Sequence, residues 1–172
     1  MAGYFQRQLT DYVEYHRDPR NGAMHVIGIL LLFTGAVMPL TLVNFDMFGL
    51  NVSLAVVLAL PALLYWLALD AVLGAGILAS AILLLGIASS VAHQTSPVTM
   101  WSIFGVLIVL GVAAQAVGHK VFEQRQPSLV DHPAHFLLGP MFVMAKLFIA
   151  LGFRRDLAAI IDPVAGVSTR KL

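Results

Sequence analysis

Six histidines and nine carboxylates, with no cysteine, are the residues of this chain that could do chemistry. Without cysteine there is no disulfide, no thiolate ligand and no cysteine nucleophile. A metal would therefore be held by imidazoles with carboxylate or amide support, a donor set that suits Fe, Zn, Cu or Ni. Three histidines are spaced so that they can meet. His16 closes the series Phe5, Leu9, Tyr12, His16, one face of an amphipathic helix lying on the membrane surface. Pro19 disfavours helical geometry at Asp18 and ends that helix, and Asn21 is the expected N-cap of the next one. A turn at 17–22 then folds His16 back toward His25. Gln115, His119 and Glu123 are spaced by four and share a helical face, so His119 can join the pair. Equally, histidines at a membrane interface can do no more than present an amphipathic ring to headgroups, and the Gln115–Glu123 face can be a solvated helix end. His132 and His135 lie in Asp131-His132-Pro133-Ala134-His135 and are further ligand candidates. His93 reads as a loop histidine. Asp70 is either a hairpin cap or an orienting partner for an imidazole.

The elements that must position these residues follow from composition. The 172 residues are 59% hydrophobic and only 11% charged, with a mean hydropathy of +0.88. A soluble domain carries about a quarter of its residues as Asp, Glu, Lys and Arg, so a water-soluble globule is excluded. Disorder is excluded as well, because disordered chains are polar. Four apolar stretches, at about 24–43, 52–69, 73–92 and 98–117, each span a ~30 Å hydrocarbon core as a helix. They are too long, and too little alternating, for membrane strands. A fifth stretch, 136–153, contains Pro140 and Lys146 and reads as an interfacial helix. The expected fold is all-α: one domain over 1–172, an integral membrane four-helix bundle with an N-terminal amphipathic helix and a C-terminal interfacial helix. Residues 1–22 hold six charges and no apolar run, unlike a cleaved signal.

Charge placement sets the expected topology. All ten basic residues lie outside the four stretches: Arg7, Arg17 and Arg20 before them, and Lys120, Arg125, Lys146, Arg154, Arg155, Arg170 and Lys171 after them. Both termini are therefore expected in the cytoplasm, which requires an even number of spans. This places Asp70 and every histidine except His93 at one membrane boundary. Ionisable groups near membrane depth are costly unless paired, metal-bound or in a wet cavity. The compact loops and the lack of a targeting signal point to a bacterial inner membrane, with the endoplasmic reticulum as the alternative.

Other functions find little support. The chain has no phosphate-binding or dinucleotide glycine motif. It has no basic face with interleaved aromatics, so no nucleic-acid partner is expected. The histidines are fewer and more dispersed than in membrane di-iron desaturases. A transporter would need polar residues near the midplane, and the four stretches hold almost none. A non-catalytic membrane scaffold or lipid-binding protein would need none of the histidines and remains the alternative.

At these residues the chain resembles the Mpo1-like family. The pattern Tyr12-x3-His16-x4-Asn21-x3-His25 carries the resemblance, together with Gln115-Ala116-Val117-Gly118-His119-Lys120-Val121-Phe122-Glu123-Gln124-Arg125-Gln126-Pro127 and Pro140-Met141-Phe142-Val143 through Leu151-Gly152-Phe153. It extends over residues 4–155. The resemblance implies an Fe(II)-dependent dioxygenase that converts a 2-hydroxy fatty acid and O2 to the acid one carbon shorter, an alpha-oxidation. It implies that His16, His25 and His119 bind Fe(II), with Asn21, Asp70, Gln115 and Glu123 as orienting or catalytic partners. It also implies an acyl chain lying between the helices or in the lipid bilayer. One departure is Lys146, where many members of the family carry Glu.

Overall fold

A computed structural model describes residues 2–126 and 131–161. The chain opens with α1 (Ala2–Val13), turns, and enters α2 (Pro19–Leu40). A β-hairpin follows, β1 (Asn44–Met47) paired antiparallel with β2 (Leu50–Ser53). Next come α3 (Leu54–Leu69), α4 (Ala71–Gln94) and α5 (Pro97–Val117). The last of these continues into a π-helical turn, Gly118–Glu123. A 3-10 turn, Pro133–Leu137, leads to α6 (Gly139–Ala150), and a second, Arg155–Leu157, leads to the short α7 (Ala158–Ile161).

Three of these helices are long and apolar enough to cross a membrane: α2, α4, and α5 with its π-helical extension. The apolar α3 has 16 residues, about 24 Å of helix and so shorter than the hydrocarbon core. The segment from His135 to Ile161 passes the same test only as a broken pair, bent by 115° after α6. Large apolar side chains such as Leu58, Leu64, Ile82, Leu83, Val106 and Val109 face outward. On a protein in water such a surface would be a severe liability; in lipid it is the expected exterior.

Packing divides the interior into two clusters. One, at the β-hairpin end, joins Val37, Met38, Ala55, Ala88, Ala92 and Met100. The larger one gathers α1, the end of α3, the start of α4, α6 and Leu157. The face of α1 formed by Phe5, Leu9 and Tyr12 is fully buried in that larger cluster. The amphipathic face is therefore the one read from the sequence, but it is turned onto the protein rather than into lipid. α3 and α4 meet in a turn of the single residue Asp70, so tight that a methyl group on Gly74 would sit 2.6 Å from the Leu67 backbone. Gly74 and Gly76 belong to α4, not to the turn between the helices.

Several boundaries differ from the expected ones. Asp18, not Asn21, caps α2, accepting from the Arg20 N–H with Pro19 at the first helical position. Pro19 thus opens α2 rather than closing α1. The 44–51 loop is a hairpin whose Phe48-Gly49 turn has positive φ at both residues (57° and 77°), which suits the twist of a two-residue connection. His93 lies in the last turn of α4 rather than in a loop.

Candidate metal centre

His16 reaches the site from the turn after α1. The Tyr15 and His16 N–H groups donate to the carbonyls of Tyr12 and Val13, which curls the chain back on α1. The imidazole stacks on Tyr12 with ring centroids 4.1 Å apart, and its Nδ1 lies 2.8 Å from the Tyr12 carbonyl. A carbonyl only accepts, so Nδ1 carries the proton and the Nε2 lone pair faces the interior. Burial pushes the His16 pKa down to about 4, which keeps this ring neutral and able to bind a metal at physiological pH.

His25 projects from the second turn of α2 with its Nε2 3.1 Å from that of His16. His119 enters from the π-helical turn, its ring 5.1 Å from His16 and 4.9 Å from His25. The three rings are nearly perpendicular to one another, at 72° to 85°. All three are buried, and one ligand nitrogen from each falls within 4.8 Å of the others. Among the described residues no other group of His, Asp and Glu converges in this way.

Three neighbours lock the arrangement. The Glu123 carboxylate accepts from the Arg17 and Asp18 N–H groups and from Asn21 Nδ2, each at 3.0 Å. It thereby ties the end of the π-helical turn to the backbone between His16 and α2. Asn21 is fully buried and also lies 3.4 Å from the Tyr15 carbonyl. Its Oδ1 packs against Gly118, where a β-carbon would collide with it, so the helices can close here only over glycine. Gln115 packs on Gly28 and reaches the His25 carbonyl at 3.5 Å. Gln115, His119 and Glu123 all face α2, as their spacing suggested, although the helix changes from α to π between the first and the second.

Asp70 has different company. Its carboxylate accepts from the Val72 and Leu73 N–H groups and pairs with Arg154 at 2.6 Å. Its end of the bundle is joined to the triad through the Pro133–Leu137 turn and α6: Trp66 Nε1 donates to the Leu137 carbonyl, and Phe142 lies 5.6 Å from the His16 ring. His93 is at the far end of α4, about 36 Å along that 24-residue helix, exposed and bonded to Ser89. His132 and His135 pack on each other, tilted by 32°, beside Tyr15 and Tyr12. Sequence reasoning placed Tyr12 on the amphipathic face and in a motif but gave it no role at the site; its spacing of four from His16 is the signal that it backs that ring. Lys146, read from the sequence as part of an interfacial stretch and as a departure from the family pattern, lies against Phe142 and Gly22.

The fit to a metal ion rests on unsatisfied atoms. His25 Nδ1 and His119 Nδ1 are buried with no hydrogen-bond partner, as are Asn21 Oδ1 and, outside the triad, His135 Nδ1. The 3.1 Å Nε2–Nε2 separation also matches the edge of about 3 Å expected for adjacent ligands at about 2.1 Å from one ion. Three neutral imidazoles suit Fe(II) among other divalent ions.

Comparison with known proteins identifies the family. Residues 2–151 match the family model described as 2-hydroxy-palmitic acid dioxygenase Mpo1-like. The chain is 32% identical over 168 residues to the 2-hydroxy-palmitic acid dioxygenase MPO1 of Saccharomyces cerevisiae, covering 96% of this chain and 91% of that protein. No solved structure matches it. With a family match over most of its length and the two histidine motifs meeting in one buried cluster, the chain belongs to the Mpo1-like family.

Proposed function

We propose that this protein is an Fe(II)-dependent membrane dioxygenase that converts 2-hydroxy fatty acids to fatty acids one carbon shorter. The observation that carries the proposal is the buried meeting of His16, His25 and His119, two of them with orphaned ring nitrogens. The family match and the name of the yeast relative supply the reaction class and the substrate. A scaffold or lipid-binding protein leaves that buried convergence of three imidazoles without a purpose.

In this account His16, His25 and His119 hold the iron. Bound there, Fe(II) would supply a position for O2 and for the chelating carboxylate and hydroxyl of the substrate, and a path for electrons between them. The overall conversion balances with O2 as sole oxidant: C2 becomes the new carboxyl, C1 leaves as carbon dioxide, and one water forms. The protein's own groups prepare the site. The Tyr12 carbonyl holds the His16 tautomer, and Glu123 with Asn21 fixes the turn that presents His16 to His25. Gln115 holds α5 against α2 at the His25 carbonyl. Asp70 serves the α3–α4 turn through its helix cap and its pair with Arg154. The aromatic wall of Tyr12 and Phe142, both buried, keeps bulk water from the His16 ring.

The bilayer supplies the rest of the setting. α2, α3, α4 and α5 make the four-helix bundle, with both termini and the triad at the cytoplasmic face. The polar head of the acid then sits at the triad while the acyl chain stays in the apolar phase. Each buried methylene adds about 0.8 kcal/mol, so chain length tunes affinity gradually, whereas loss of the 2-hydroxyl removes the chelate altogether. Purified protein loaded with Fe(II) under O2 should convert 2-hydroxypalmitate to the fifteen-carbon acid and leave palmitate untouched. Equal consumption of both acids, or of neither by iron-loaded protein, contradicts the proposal.

A further inference from the structure

His16 has the least regular backbone of the triad: it follows the end of α1 and precedes the cap of α2, in a turn that belongs to neither helix. Two side chains from one short stretch of chain hold that turn, one on each side of the imidazole. After it, Glu123 accepts from the Arg17 and Asp18 N–H groups at 3.0 Å. Before it, Arg125 grips Glu14 and Tyr15. Its guanidinium carbon stands 3.7 Å from the centre of the Tyr15 ring, and its Nη1 donates to the Glu14 carbonyl at 3.2 Å. Residues 14–15 and 17–18 are thus both tied to 123–125, with His16 projecting inward between them.

His119 stands at the other end of the same stretch. The Arg125 N–H donates to the His119 carbonyl at 3.2 Å, and Gln124, with a φ of 54° in the left-handed region, makes the reversal that allows it. One end of the clasp is therefore the backbone of His119, and the other is the pair of residues that leads into His16. Tyr15 is a firm hold, because it is buried and its hydroxyl donates to Asp131 at 2.9 Å. Arginine suits the position, since a guanidinium can lie over an aromatic face while one of its N–H groups still reaches a carbonyl.

We propose that Arg125 is a positioning residue of the metal site: with Tyr15 it sets the spacing of His16 and His119, as Glu123 sets the turn that follows. The proposal rests on the reading of the triad as a metal site, but the clasp itself needs no metal.

The test uses the full chain in nanodiscs, with Co(II) as the probe of the triad and amide exchange of the metal-free protein as the probe of the clasp. Arg125→Met should weaken Co(II) binding about fivefold, the scale of one exposed cation–π contact, and shift the visible Co(II) bands, which follow ligand geometry. Charge alone predicts the opposite sign, because removing one cation favours binding of another. Tyr15→Leu should lose the same affinity, and the two changes together should cost no more than either alone. Tyr15→Phe keeps the ring face and Arg125→Lys keeps the charge, so each should bind Co(II) within about twofold of the wild type. A residue that only stabilised the fold would lower the unfolding temperature without this coupling and rescue. In the metal-free protein, Arg125→Met should speed exchange at 13–18 and 119–125 and leave 100–112 unchanged. Arg125→Gln takes its place if the methionine variant does not fold. Wild-type Co(II) affinity and bands in a folded Arg125 variant, or additive losses in the double variant, overturn the proposal. Unchanged exchange overturns the clasp whatever the metal result. Faster exchange in Arg125→Met, with a wild type that takes up no Co(II), would keep the clasp and overturn the metal reading instead.

Discussion

His132 and His135 stand as close together as the triad: their rings are 4.8 Å apart, against 4.3 to 5.1 Å within the triad. Yet the two clusters are built for different ends. The rings of the pair are tilted by only 32° and lie nearly face to face, whereas the triad rings stand almost perpendicular. His132 is exposed and His135 buried; every ring of the triad is buried. The pair is embedded in aromatic contacts with Tyr15 and Tyr12, and Tyr15 is itself held by Asp131 and covered by Arg125. In the triad, three separate elements converge and are fixed by a carboxylate behind them. Closeness of imidazoles is therefore a poor guide to a metal site; donors aimed at one dry point are a better one.

The sharpest way to break this contrast is to remove a triad ring. Outer-shell partners of a metal typically contribute about 10- to 100-fold in affinity, so losing a ligand itself should exceed that. His119→Ala, His25→Ala and His16→Ala are each expected to abolish stoichiometric iron binding and turnover, measured by elemental analysis and product formation. Glu123→Ala should come next. It leaves the Arg17 and Asp18 N–H groups and Asn21 without their acceptor, so iron affinity should fall by about tenfold, with a lower unfolding temperature. Glu123→Gln should recover part of both, since its amide oxygen can still accept.

These effects also show which parts of the site were legible in the sequence. The convergence of the triad was, because the Tyr12–His25 pattern and the Gln115–Glu123 spacing are local signals, and the structure brings those three rings together. The apolar runs marked α2, α4 and α5 because lipid exposure makes them apolar all round. What the sequence hid was tertiary. The change to π geometry begins at Gly118, where Asn21 packs, and no spacing rule reports it. The inward turn of α1 needed knowledge of what covers it. Signals for the β-hairpin did exist, in the alternation of Phe45 and Met47 with Leu50 and Val52 about a Phe48-Gly49 turn, but they were short. Asp18-Pro19 likewise carried the helix-start signature that Asn21 was expected to supply. Lys146 could be placed against Phe142 and Gly22 only once α6 was seen packed against α2.

Asp70 sharpens the comparison from the other side, because it is half-buried and paired with Arg154 without belonging to either cluster. Asp70→Ala removes a helix cap and a partner of Arg154, so it should cost about 1 to 2 kcal/mol of stability while iron affinity stays unchanged. Thermal unfolding and metal titration of the same preparation separate the two effects. The smallest change is expected at His132, where an exposed ring offers little to lose: His132→Ala should alter iron affinity and stability by less than about twofold and 0.5 kcal/mol respectively.

The most direct test of the central claim is the iron content of two multiple variants, purified in parallel after anaerobic loading with Fe(II). His132→Ala combined with His135→Ala should keep one iron per chain, like the wild type. His16→Ala combined with His25→Ala and His119→Ala should keep none, while remaining folded by circular dichroism. Iron retained by the folded triple variant, or lost from the double variant, would contradict the assignment of the metal to the triad.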